Sequence, residues 1–77
     1  DKLQNIFRES IVNVDFAQNL VVIHTMSGLA NGAAAALDSM DISFLIGTLA
    51  GDDTVLLIMR DNESAAEFAT SIKMMLH

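Results

Sequence analysis

The sequence contains no cysteine. Disulfide staples and thiolate metal sites are therefore excluded. Only two histidines are present, His24 and His77, the second being the last residue, so a structural zinc site lacks a ligand set. Basic residues are equally scarce. Lys2, Arg8, Arg60 and Lys73 stand against ten acidic residues, for a net charge of −6. They are scattered along the chain, whereas displacing counterions from nucleic-acid phosphates needs clustered Lys and Arg. Direct nucleic-acid binding by this chain is not expected, and the acidic balance suits a cationic ligand better. Asn, Asp, His, Gly or Thr interrupts every apolar run before it reaches the length of a membrane span. No signal peptide is visible at the mixed-charge start. A cytoplasmic location with no membrane partner is the expectation. No phosphate loop, nucleophile elbow or metalloprotease motif is present. The expected protein is not an enzyme, has no catalytic residue and carries no metal or cofactor.

What is there is apolar. Of 77 residues, 52% are hydrophobic, a large share for a single domain spanning residues 1–77. A domain of this size has much surface and a modest core, and small domains usually add a disulfide, a metal or a partner. With the first two excluded, contiguous apolar surface points to self-association. The chain begins on Asp1 rather than Met, which suggests a piece of something longer.

Residues 1–9 read as a short helix or linker, with Leu3, Ile6 and Phe7 spaced for one face. Ile11 to Phe16 alternates, placing Val12, Val14 and Phe16 on one side of a strand and Asn13 and Asp15 on the other. Ala17-Gln18-Asn19 is a turn. The β-branched run Leu20 to Met26 makes a second strand, apolar on both faces, as if helices cover one and another subunit the other. Ser27-Gly28 breaks it. A helix follows from about Leu29 to Met40 around Ala33-Ala34-Ala35-Ala36, strong helix formers that leave a thin helix able to approach closely. Asp41-Ile42-Ser43 reverses the chain. Phe44 to Leu49 and Thr54 to Met59 form a β-hairpin joined by Ala50-Gly51-Asp52-Asp53. In the last helix Ser64 and Glu67 are spaced for a capping box. Ala65, Phe68, Ala69, Ile72, Met75 and Leu76 form its apolar stripe. The order ββαββα implies an α+β two-layer sandwich: a four-stranded, mostly antiparallel sheet with two helices on one face. The other face has no cover from within the chain.

The acidic loop carries the sharpest chemistry. Asp52 and Asp53 are adjacent like charges at a hairpin tip and call for something positive. A guanidinium offers planar, bidentate donors to carboxylates. A hard cation such as Mg²⁺ is also suited, and Asp and Gly are ordinary turn residues in any case. His24, inside a strand, reads as a hydrogen-bonded interface residue rather than a base. Asp38, late on the alanine helix, is a solvated acid or a second carboxylate of a pocket. Asn31 is a capping-region residue, and Met74-Met75 with Leu76 reads as core.

His24-Thr25-Met26-Ser27-Gly28, Leu37-Asp38 and Gly47-Thr48-Leu49-Ala50-Gly51-Asp52-Asp53-Thr54 resemble the C-terminal domain of bacterial arginine repressors over nearly the whole chain. The resemblance implies trimers that stack face to face into hexamers, with L-arginine held between the two trimers. It implies that Asp52 and Asp53 hold the ligand and that Asn31, Asp38, Thr48 and Ala50 line its pocket. It further implies a winged helix-turn-helix domain, absent from this chain, that binds operator DNA. The sequence departs from the pattern where many members carry Gln in place of Asn31 and Pro in place of Ser27. The expected function is thus the effector-binding and hexamerisation domain of an arginine-responsive transcriptional regulator of arginine biosynthesis or catabolism. The alternatives are a ligand-independent structural oligomerisation module and a small metal-dependent enzyme using Asp52 and Asp53.

Overall fold

The computed structural model describes residues 2–76, with side chains from residue 5 onward; the expectation for the Leu3 side chain and that for His77 lie outside what it describes. The elements run α1 (Lys2–Ser10), β1 (Ile11–Ala17), β2 (Leu20–Thr25), α2 (Ala30–Ser39), β3 (Leu45–Ala50), β4 (Thr54–Met59) and α3 (Asn62–Met75). The expected ββαββα order is present, with α1 as a third helix. The sheet order is β1-β2-β4-β3, with every neighbouring pair antiparallel.

Two hairpins build the sheet. Gln18 and Asn19 form the first tip, with Gln18 at φ +53° and Ala17 paired to Leu20. Asn19 also reaches across to the end of β4: its carbonyl accepts from the Met59 amide at 2.8 Å and its side-chain amide donates to the Met59 carbonyl at 3.2 Å. The second hairpin is β3–β4. The central strands of the sheet, β2 and β4, supply the core, with Val21, Ile23, Val55, Leu57 and Met59 all fully buried under the helices. Burying such a side chain contributes roughly 1.5–3 kcal/mol.

Both edge strands depart from simple alternation. The β1–β2 register shifts between Ile11 and Asn13, and the β3–β4 register between Leu45 and Gly47. Each bulge inserts one residue, Val12 or Ile46, and flips the parity of what precedes it. Ile11 and Val14 are therefore the buried positions of β1, while Val12 is turned out, 64% exposed. This corrects the expectation for Val12, which a bulge makes unreadable from spacing alone; Val14 and Phe16 share a face as expected, paired with Ile23 and Val21. Phe44 sits outside β3 at φ +65°, a backbone that no strand residue adopts, so the strand begins one residue later than the apolar run.

The alanine helix packs as its thin profile suggests. Ala30, Ala33, Ala34, Ala36 and Leu37 of α2 are buried, and α2 touches α1, β2, β3 and β4. On α3 the stripe is buried at Ala65, Ala69 and Ile72 and half-buried at Phe68, Met75 and Leu76. Met74 is 72% exposed, contrary to its reading as core; it is two residues from Ile72, and two steps of 100° turn it off the buried stripe. The cap also differs from expectation. Asp61, not Ser64, is the N-cap of α3, and its carboxylate accepts from the Ser64 amide at 2.7 Å. Ser64 is the third helical residue, so the proposed Ser64–Glu67 box begins one turn too late.

All helices lie on one face of the sheet. The opposite face presents Leu20, Val22, Leu56 and Ile58 half-exposed and Leu49 70% exposed. No helix among the described residues is long and apolar enough to cross a membrane.

Close helix packing makes Ala33 intolerant of bulk. Ala33→Leu is expected to destabilise the fold by about 1–3 kcal/mol in denaturant titration, through overpacking. At the α3 cap, hydrogen bonds from the Ser64 amide and then its side chain hold the Asp61 carboxyl below its ordinary value. A carboxyl lowered in the folded state stabilises above its unfolded pKa and loses that contribution as pH falls through the folded value. Asp61→Ala should therefore lower the melting temperature at pH 7, with the difference from the parent closing below about pH 4.

Candidate functional site

The tip of the β3–β4 hairpin, Gly51-Asp52-Asp53, is drawn against the segment that leaves β2 and enters α2. Four backbone contacts define this clasp. The Thr25 amide donates to the Asp53 carbonyl at 2.7 Å, and the Gly28 and Ala30 amides both donate to the Asp52 carbonyl, at 3.1 and 3.2 Å. Within the tip, the Gly51 amide donates to the Thr54 carbonyl at 2.9 Å. The β2–α2 turn can offer its amides because Gly28 adopts φ +80°, a conformation that costs an L-residue a Cβ clash. The Met26 amide is tied in turn to the Ser10 carbonyl at 2.9 Å, so the end of α1 braces the same turn.

Both carboxylates of the tip are exposed, and each is met by one hydroxyl. Ser27 Oγ donates to Asp52 Oδ2 at 3.0 Å, and Thr54 Oγ1 donates to Asp53 Oδ1 at 3.0 Å. His24 Nδ1 lies 3.5 Å from Thr54 Oγ1 on the uncovered face of the sheet. Asp52 also lies beside the first turn of α2, where the helix dipole favours a nearby anion.

The remaining expected residues line the seam between α2 and β3. Asn31 and Asp38 are seven residues apart, about two helical turns, and both are exposed. Thr48 and Ala50 pair with Leu57 and Val55, so they face the helix layer. Thr48 Oγ1 donates to Asp38 Oδ1 at 3.4 Å, joining strand to helix. Ala50 directly precedes the tip, and Asn31 directly follows Ala30, which holds the Asp52 carbonyl. The structure thus brings Asp52, Asn31 and Ala50 to one end of the seam and Asp38 and Thr48 to the next stretch of it. Asn31 does not cap α2; Leu29 occupies that position without a side-chain hydrogen bond.

The seam is open. A cleft of about 520 Å³ lies elsewhere, between Arg8, Ile11, Val12, Asn13, Lys73 and Leu76. It contains none of the acidic residues, and the chemistry of the clasp outweighs its size. Among the described residues no group of three or more His, Cys, Asp or Glu side chains converges to hold a metal ion. The sequence marks Ser27-Gly28 as the end of a strand and Ser27 as a departure from the family pattern, but not as a contact to Asp52. The signal available was the Ser-Gly pair immediately before a helix, but nothing in spacing says which hairpin it meets.

Over residues 7–74 the chain matches the family described as "Arginine repressor, C-terminal domain". It is 46% identical over 76 residues to an arginine repressor of Caldicellulosiruptor saccharolyticus, covering 99% of this chain and 50% of that protein. It is 45% identical over 64 residues to one of Alkaliphilus oremlandii, covering 83% and 43%. A third, of Clostridium acetobutylicum, is 39% identical over 77 residues, covering 100% and 51%. The chain spans about half the length of these relatives.

The clasp depends on the left-handed backbone at Gly28. A Cβ built there meets nothing within 4 Å, so Gly28→Ala isolates the backbone cost. The expected loss is about 1–2 kcal/mol in denaturant titration, and no loss would contradict the conformation.

Proposed function

The chain belongs to the arginine repressor family, matching its C-terminal domain over residues 7–74, and on that premise we propose that it is the arginine-sensing and hexamerisation domain of a cytoplasmic transcriptional regulator. L-arginine binds between two trimers. Asp52 and Asp53 take its guanidinium, while Asn31, Asp38, Thr48 and Ala50 line the rest of the pocket. Operator DNA is bound by a preceding winged helix-turn-helix domain, and the chain catalyses no reaction. The single observation that carries this reading is the exposed Asp52-Asp53 pair, fixed by the clasp at the end of the α2–β3 seam.

The chemistry follows from the charges. An arginine guanidinium stays protonated and presents five N–H donors in a planar fork. Two adjacent carboxylates relieve their mutual repulsion by sharing it. The seam offers an amide, a hydroxyl and a third carboxylate for the α-amino and α-carboxyl ends of the ligand. Because one chain leaves the pocket open, a facing subunit closes it, and ligand then stabilises only the assembled state. At a free concentration 100 times the Kd, that linkage contributes about 2.7 kcal/mol per site. The apolar outer face around Leu49, Leu56 and Ile58 is the surface on which subunits associate within a trimer.

Isothermal calorimetry with L-arginine tests the reading. The parent chain is expected to bind, and Asp53→Ala to weaken binding by about 10- to 150-fold, the cost of one hydrogen bond to a charged group. A parent that releases no heat but still forms hexamers would favour a ligand-independent structural module instead. Stabilisation by millimolar Mg²⁺ without any arginine response would favour a metal-dependent one.

A further inference from the structure

Two like-charged carboxylates on consecutive exposed residues have no intrinsic reason to hold a fixed orientation. Each can rotate about two side-chain torsions, and mutual repulsion drives them apart. Here each is held by a different hydroxyl from a different direction. Ser27 approaches Asp52 from the β2–α2 turn, 25 residues away in sequence, and Thr54 approaches Asp53 from the start of β4. Ser27 is itself on rigid backbone. The Gly28 amide that follows it is bonded to the Asp52 carbonyl, and the Leu29 amide closes back onto the Met26 carbonyl at 3.1 Å. The hydroxyls occupy Oδ2 of Asp52 and Oδ1 of Asp53. Among the described residues, Oδ1 of Asp52 and Oδ2 of Asp53 have no hydrogen-bond donor. A carboxylate oxygen accepts in about two directions, so one oxygen of each acid remains for a ligand.

We propose that Ser27 and Thr54 are positioning and specificity-determining residues, each hydroxyl fixing one carboxylate so that its remaining oxygen meets a planar guanidinium in a set orientation. This rests on the reading of Asp52 and Asp53 as the arginine-holding pair and deepens it. The distinction it creates is between arginine and lysine. A guanidinium has rigid, coplanar donors and gains from carboxylates already held in place. An ammonium is a compact point charge with three donors that rotate to suit, and it tolerates misplaced acceptors. Fixing the carboxylates before binding removes part of the ordering cost from the bound state, and only a ligand of matching geometry collects the benefit.

The test is calorimetry of L-arginine, and displacement of arginine by L-lysine, on the intact chain and on Ser27→Ala, Thr54→Val, Ser27→Thr and Thr54→Ser. Loss of either hydroxyl is expected to weaken arginine binding by about 3- to 10-fold, the range for one neutral-to-charged hydrogen bond acting indirectly. Lysine binding should change by less than about twofold, so selectivity falls. The hydroxyl-retaining variants should keep parental affinity and selectivity. Melting temperatures measured on all four separate this from loss of the fold. If Ser27→Ala and Thr54→Val bind arginine as the parent does, the positioning role is overturned while the arginine reading stands. Equal losses for arginine and lysine would overturn the specificity role. A parent chain that binds no arginine overturns both.

Discussion

The arrangement hangs on the backbone clasp between the β3–β4 hairpin tip and the β2–α2 turn. Three amides, from Thr25, Gly28 and Ala30, converge on two consecutive carbonyls of the acidic loop. Without them the tip would be an ordinary exposed turn carrying two repelling acids. With them the tip is fastened to the end of β2 and the start of α2 at once, and its carboxylates are presented at a set place. Gly28 at φ +80° and Ser10, which holds the Met26 amide, are the structural preconditions. Side-chain hydroxyls then act on an already fixed backbone.

The second constraint is the imbalance between the two faces of the sheet. The helix-covered face is dry and dense, built from β-branched and leucine side chains closed over by small alanines. The other face keeps Leu20, Val22, Leu49, Leu56 and Ile58 partly or largely in solvent. A domain of this size has little surplus stability to set against such exposure. The Asp52 and Asp53 side chains are likewise exposed. In the function proposed above, association and ligand capture draw on a common cause: a chain that completes neither its apolar layer nor its acidic seam by itself.

Much of this was legible in the sequence, for reasons that are local. The hairpins, the alanine helix and the stripe of α3 follow from apolar period and turn chemistry, which act over a few residues. The acidic tip was visible as a hairpin turn because Gly-Asp-Asp stands between two apolar runs, but the turn alone left its ligand open and the wider resemblance supplied it. What was not legible depends on pairing between distant segments. The bulges at Val12 and Ile46 invert a strand's faces without changing composition. Asp61 displaced Ser64 as the cap because several capping residues stood in a row and only the backbone decides among them. The Ser27–Asp52 contact spans 25 residues and no periodicity encodes it. Met74 looked like core by hydropathy, but its angular position puts it outside.

The most direct measurement is a crystal structure of the assembled chain grown with L-arginine. The guanidinium should lie within about 3 Å of Asp52 and Asp53 oxygens while the α-amino and α-carboxyl groups contact a facing subunit. Arginine enclosed by residues of one chain alone, or an assembly whose Asp52-Asp53 loops stand apart with no ligand between them, would contradict the role assigned to the clasp.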